Sequence, residues 1–199
     1  MLILAFDTAT DVATSALVRD GEVLGERVTR AVRVLDDFEH LLREAGFEAD
    51  DVEGIVVGRG PGSYTGLRMG LVTARTLSFS LGVPASGVST LAALAAGAPG
   101  AAPVIDGRRG EAFVLADGEP TCVAAEKLRV DSGRTYVGDG AVRYRVHLEE
   151  AGGLVPADDD PVHVPWARHH AALAGDFGAA GDVEPIYLRL PDAERALRR

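Results

Sequence analysis

The rhythm of apolar and polar positions changes several times along the chain, and each change marks an element. Leu2 to Phe6 is a short apolar run suited to a buried strand, and it ends at Asp7-Thr8-Ala9-Thr10-Asp11. Val12 to Val18 predicts a second strand, Asp20-Gly21 a hairpin turn, and Glu22 to Val28 a third strand. Together they predict an antiparallel meander. From Val34 the period lengthens: Val34, Leu35, Phe38, Leu41, Leu42 and Ala45 follow helical spacing, and Gly46 supplies the stop. Ile55-Val56-Val57 predicts a fourth strand, parallel to its neighbour because a helix separates them.

A glycine loop follows, with Gly58, Gly60 and Gly62 ahead of Ser63-Tyr64-Thr65-Gly66. The helix after it is expected from about Thr65 to Leu81. One apolar stripe runs through Leu67, Leu71, Ala74, Ser78 and Leu81, and a second through Met69, Val72, Thr76 and Phe79. A helix apolar or small nearly all round has one face for its own sheet and another for a partner. Gly82-Val83-Pro84 ends it. A short helix from Leu91 to Ala96 and a small-residue linker from Gly97 to Pro103 come next.

Periodicity is weaker in the second half. Val104-Ile105-Asp106-Gly107-Arg108-Arg109-Gly110 and Glu111 to Ala116 repeat the opening pattern of a strand ending in Asp and returning as another strand. Thr135 to Val137 reads as a strand, Asp158-Asp159-Asp160 as a solvated loop, and Trp166 to Ala174 as a short helix. The expected organisation is two unequal α/β lobes, residues 1–100 and 101–199.

Composition narrows the class. At 47% hydrophobic and 25% charged residues, the 199-residue chain is that of a soluble globular protein able to bury a core. No apolar run reaches the ~18–20 residues that span a bilayer, and no basic n-region precedes Leu2. Cys122 is the one cysteine, which fits a reducing compartment, so a cytoplasmic location is expected. The formal net charge of −10 disfavours unaided binding to a phosphate backbone. The arginines at 27, 30 and 33 and at 195, 198 and 199 read as solvated charges.

The glycine loop fits no phosphate or nucleophile pattern. Lys127 is the sole lysine, so a Walker loop is absent. Ser63 stands where a dinucleotide loop needs its third glycine, and no acidic residue lies between Glu53 and Asp106. The spacing around Ser63 is not that of a hydrolase elbow. The loop residues Gly60, Gly62, Ser63, Thr65 and Gly66 are therefore read as structural, with Ser63 or Thr65 capping the second helix. His40, His147, His163, His169 and His170 contain no i, i+4 pair, and no metal site is expected. Asp7 either satisfies its own turn or, with Thr8, marks a vestigial nucleotide site.

These pieces resemble the actin-like ATPase (ribonuclease H-like) fold: an Asp turn after the first strand and a duplicated lobe. The run Gly58-Arg59-Gly60-Pro61-Gly62-Ser63-Tyr64-Thr65-Gly66-Leu67-Arg68 is more specific and is similar to the signature of the TsaB family. Leu4-Ala5-Phe6-Asp7-Thr8-Ala9-Thr10, Gly87-Val88-Ser89-Thr90-Leu91, Asp106-Gly107-Arg108-Arg109-Gly110-Glu111 and Tyr187-Leu188-Arg189 match it as well. The resemblance covers residues 1–116 well and the rest loosely. It departs at residues 29–38, where the family's His-Ser and Leu-Leu-Pro are missing.

The resemblance implies a non-catalytic subunit that supports TsaD in forming threonylcarbamoyladenosine beside the tRNA anticodon. A TsaE-like ATPase would join the complex, and a homodimer would form when the chain is alone. It implies contact with tRNA only through the complex, and no cofactor on this chain alone, ATP or ADP belonging to the complex. With the periodicity it places the partner interface on Leu35, Phe38, Leu42, Leu67, Leu71, Val72 and Arg75, and no catalytic residue. The alternatives are a small ATPase or sugar-kinase-like enzyme using Asp7 and Thr8 and, last, a peptidase.

Overall fold

A computed structural model describes residues 1–189. The first sheet begins with β1 (Leu2–Asp7), β2 (Ala13–Arg19) and β3 (Glu22–Thr29), an antiparallel meander. The β2–β3 turn places Asp20 at φ 50° and Gly21 at φ 86°, the left-handed pair that matches strand twist in a two-residue hairpin. Helix α1 (Val34–Ala45) leads to β4 (Gly54–Gly58), parallel to β1. Helix α2 (Tyr64–Leu81) leads to β5 (Ala85–Val88), parallel to β4. The resulting order is β3-β2-β1-β4-β5.

Helix α3 (Thr90–Gly97) enters a second sheet built from β6 (Ala102–Arg108), β7 (Glu111–Ala116), β8 (Glu119–Ala124) and β9 (Tyr136–Val137). Its order, β8-β7-β6-β9, repeats the first lobe with an antiparallel meander and a parallel neighbour beside the Asp-bearing strand. Two lobes of this topology are the actin-like fold expected from the sequence, the second one reduced. Helices α4 (Asp139–Arg143) and α5 (Arg145–Glu150) cover the second sheet, with Leu148 and Ala141 packed against Val104 and Ala112.

The pleat sorts β1 between two layers. Leu4 and Phe6 face α1 and α2 in one cluster with Phe38, Leu41 and Leu71, where Phe6 meets Phe38 edge to face at 5.3 Å. Ala5 faces the other way with Ala16 and Val56. Small residues on that face let α6 (Ala167–Leu173) lie close, with Ala167 in the same cluster and Ala171 packed against it. Thus the chain leaves the first sheet after residue 88 and returns to it at α6. Gly178 then pairs with Ala85, and residues 178–189 form a strap. Arg75 donates to the carbonyls of Ala180, Gly181 and Val183 on that strap. Ile186 N–H donates to Arg59 O, and Arg189 reaches Gly107 O and Glu111 in the second lobe.

Helix α1 matches its sequence expectation at both ends, with Gly46 at φ 74° as its stop. α2 begins one residue earlier than expected. Four strands and helices were not anticipated. β5 is four residues long with Gly87 inside it, β8 carries Pro120 and is an edge strand, and α4 and α5 are single short turns. β5, α4 and α5 are too short to show a period, and Pro120 argues against a strand where β8 lies.

Candidate functional site

Asp7 ends β1 and is fully buried. Its Oδ1 accepts from Ala9 N–H at 2.6 Å, the local turn predicted from the sequence. Its Oδ2 accepts from the Thr90 hydroxyl at 2.6 Å. His170 Nε2, also buried, sits 2.8 Å from the same oxygen, close enough for an ion contact but off the line of a hydrogen bond. Burial opposes ionisation of Asp7, yet the neighbouring His170, Thr90 and Ala9 N–H outweigh it and hold the carboxyl below its ordinary value. The carboxylate's charge is thus met from within the protein.

The glycine loop closes over this turn. A Cβ on Gly58 would stand 1.9 Å from Asp7 Oδ2, one on Gly62 2.3 Å from Ala9 O, and one on Gly66 2.0 Å from Thr8 O. Thr8 Oγ1 donates to Gly66 O at 2.8 Å, and Ser63 N–H to Ala9 O at 2.7 Å. The glycines therefore serve a backbone approach between β1 and the start of α2. Thr8 is spent on the loop, not turned toward a ligand.

Ser63, not Thr65, caps α2. Its Oγ accepts from Gly66 N–H at 3.4 Å, a long bond, and Thr65 is exposed. Ser63→Ala is accordingly expected to cost about 0.5 kcal/mol, the low end for a lost cap, read by urea unfolding.

Asp106 mirrors Asp7 in the second lobe with a different solution. It accepts from Arg108 N–H at 2.9 Å and from the Tyr144 hydroxyl at 2.9 Å, and it lies 3.2 Å from the Arg108 guanidinium and 3.4 Å from that of Arg143. Arg108 also bridges to Asp11, joining the two lobes. Asp106 N–H donates to Asp139 at 3.0 Å. Burial, reinforced by the charges of Asp106 and Asp11 against two backbone donors, pushes the Asp139 carboxyl up to about 6.

A raised carboxyl makes ionisation a cost to the folded state. The cost is absent below the unfolded value near 4, grows as pH rises toward 6, and is constant above it. Asp139→Asn, which keeps an acceptor for Asp106 N–H, should therefore be more stable than the parent by ~2–3 kcal/mol at pH 7.5. That gain should vanish near pH 4, as urea titrations at the two pH values would reveal.

Outside these closed turns lies an open helix face. Tyr64, Arg68, Val72, Arg75 and Phe79 recur at helical spacing along α2 and are all exposed, Val72 at 61% and Phe79 at 90%. On α1, Leu35 is 58% exposed, and Val32 just before it is exposed too. A groove of about 530 Å³ separates the helices, floored by Leu4 and walled by Phe38, Leu42, Leu77 and Leu81. Of the residues expected at a partner interface, Leu35 lines this groove, while Val72 and Arg75 are exposed on the strap side of α2. Phe38, Leu42, Leu67 and Leu71 are buried in the protein's own core.

Residues 27–139 match the family model described as TsaD: tRNA N6-adenosine threonylcarbamoyltransferase. The tRNA threonylcarbamoyladenosine biosynthesis protein TsaB of Escherichia coli K12 is 40% identical over 95% of this chain and 95% of its own length. The chain belongs to the TsaB family. The Bacillus subtilis TsaB is 38% identical over 57% of this chain and 53% of its own length. The structure of YeaZ from Pseudomonas aeruginosa superposes with a TM-score of 0.76 at 29% identity, covering 94% of this chain and 99% of that one.

Within this TsaB-family chain, sequence reasoning missed Thr90 and His170 as partners of Asp7. The signal for His170 was faint: it shares a helical stripe with Ala167, Ala171 and Ala174, a single ring among small apolar residues. Among the described residues no cluster of His, Cys, Asp and Glu could hold a metal, and no helix is long and apolar enough to cross a membrane.

Proposed function

We propose that this chain is a non-catalytic subunit that binds a TsaD-type catalytic subunit and supports threonylcarbamoyl transfer to the adenosine next to the tRNA anticodon. The observation that carries the reading is the exposed α2 stripe, Tyr64 to Phe79, in a stretch without an acidic residue from Gly54 to Ile105. Isolated exposed apolar side chains are ordinary, but a row of them aligned along one helix is the anatomy of a contact face. The inward-paired Asp7 supports the same reading, since its charge is already compensated by the protein itself. Nucleotide belongs to the assembled complex with a TsaE-type ATPase, and tRNA meets the chain through that complex. Alone, the chain pairs with a second copy through the same α1–α2 face.

The test is to mix the purified chain with the TsaD-type protein of its own organism and measure complex mass by light scattering. A one-to-one complex that displaces the homodimer is the expected result. No complex, together with unchanged threonylcarbamoyladenosine in tRNA after gene deletion, would overturn the reading.

A further inference from the structure

The strap lies along one flank of the α2 stripe. Arg75 grips its carbonyls at residues 180–183, and further toward the start of α2 the Tyr187 ring meets Tyr64 at 5.4 Å, tilted by 33°. The Arg68 guanidinium lies over the same Tyr64 ring, 5.1 Å from its centroid. Both tyrosines are more than two-fifths exposed, and among the described residues Arg68 has no acidic partner. A planar guanidinium held on a ring has its rotamer freedom already reduced and its donors still open.

We propose that the Arg68–Tyr64–Tyr187 stack is an anchor for a carboxylate side chain of the catalytic subunit, so that the partner contact runs from α2 onto the strap. This rests on the reading of α2 as the partner face, with which the stack is continuous. Tyrosine and arginine are the residue types that concentrate binding energy at interfaces, and here they are pre-assembled. The charge argues for an acid opposite the start of α2: the helix carries Arg68 and Arg75 and no acidic residue, and the strap's exposed Asp182 and Glu184 lie toward its Arg75 end. An RNA base is a poorer occupant, because the two rings already face each other and leave no slot between them.

The experiment titrates the full chain against the catalytic subunit by calorimetry at low and high salt. Arg68→Ala and Tyr187→Ala should each weaken binding about tenfold or more with an unchanged melting temperature. The strap remains held in Tyr187→Ala by Ile186 N–H on Arg59 O and by Arg189 on Glu111. Arg68→Ala should also flatten the salt dependence, and Arg68→Lys should restore the charge term only. Wild-type affinity in both alanine variants while Val72→Glu fails to bind would overturn the anchor and leave the α2 reading intact. Normal partner affinity with loss of tRNA from the assembled complex would overturn it in favour of RNA contact. Normal binding by Val72→Glu as well would remove the reading beneath it.

Discussion

Asp7→Ala will destabilise the protein by about 3–5 kcal/mol, since each buried polar group left without its partner costs about 1–3 kcal/mol. The substitution strands three groups: the Thr90 hydroxyl, the Ala9 N–H and the His170 ring, each within 3 Å of the carboxylate and two of them on distant elements. Water does not reach Asp7 or His170 in the folded state, so the loss is not made good by hydration. Urea unfolding of Asp7→Ala, His170→Ala and the double variant forms a cycle, and the double variant should lose less than the sum of the singles. The pH dependence has a definite sign. The folded carboxyl titrates below its unfolded value, so its contribution is full above about pH 4 and is lost as pH falls through the folded value. This is the reverse of Asp139, whose ionisation costs stability. A loss under ~1 kcal/mol in Asp7→Ala would show that the carboxylate is not structural.

Val72→Glu should abolish the complex while leaving the fold alone, and its neighbour Leu71→Glu should do the opposite damage. Val72 is 61% exposed, so a glutamate there costs folding within about 0.5 kcal/mol. At the centre of the α2 row it would place an unpaired charge in a desolvated contact and weaken binding by about a hundredfold or more. Leu71 packs with Phe6 and Val57 in the main core and is 4% exposed; a charge there leaves the lobe unfolded. Circular dichroism separates the two outcomes, and sedimentation with the catalytic subunit reads the first. A Val72→Glu chain that still assembles with wild-type affinity would place the partner elsewhere.

How far the sequence could be read follows from how local each feature is. Helix α1 was legible from its own period and its glycine stop, and the meander from Asp20-Gly21. The family loop was legible as a motif, although what its glycines do needed the fold: they face Asp7, Thr8 and Ala9, which lie some fifty residues earlier. The exposed helix face was half legible. Periodicity finds apolar positions on α1 and α2 but cannot say which stripe meets the sheet, so Phe38, Leu42, Leu67 and Leu71 were grouped with Leu35 and Val72. His170 was beyond reach because its partner is at the other end of the chain and its own surroundings are plain alanines. Short elements such as β5 and β8 gain their strand conformation from pairing, not from residue preference.

The return of α6 to the first sheet also orders events in time. Synthesis delivers β1 through β5 first, with the Ala5, Ala16 and Val56 face of the sheet bare and Asp7 lacking its ring partner. Only when α6 has followed β9 and α5 out of the ribosome can that face be covered. A gene fragment ending after the first sheet would therefore yield a lobe without its cover. The second sheet, though it comes later in the chain, has its own helices α4 and α5 made before the first lobe is finished.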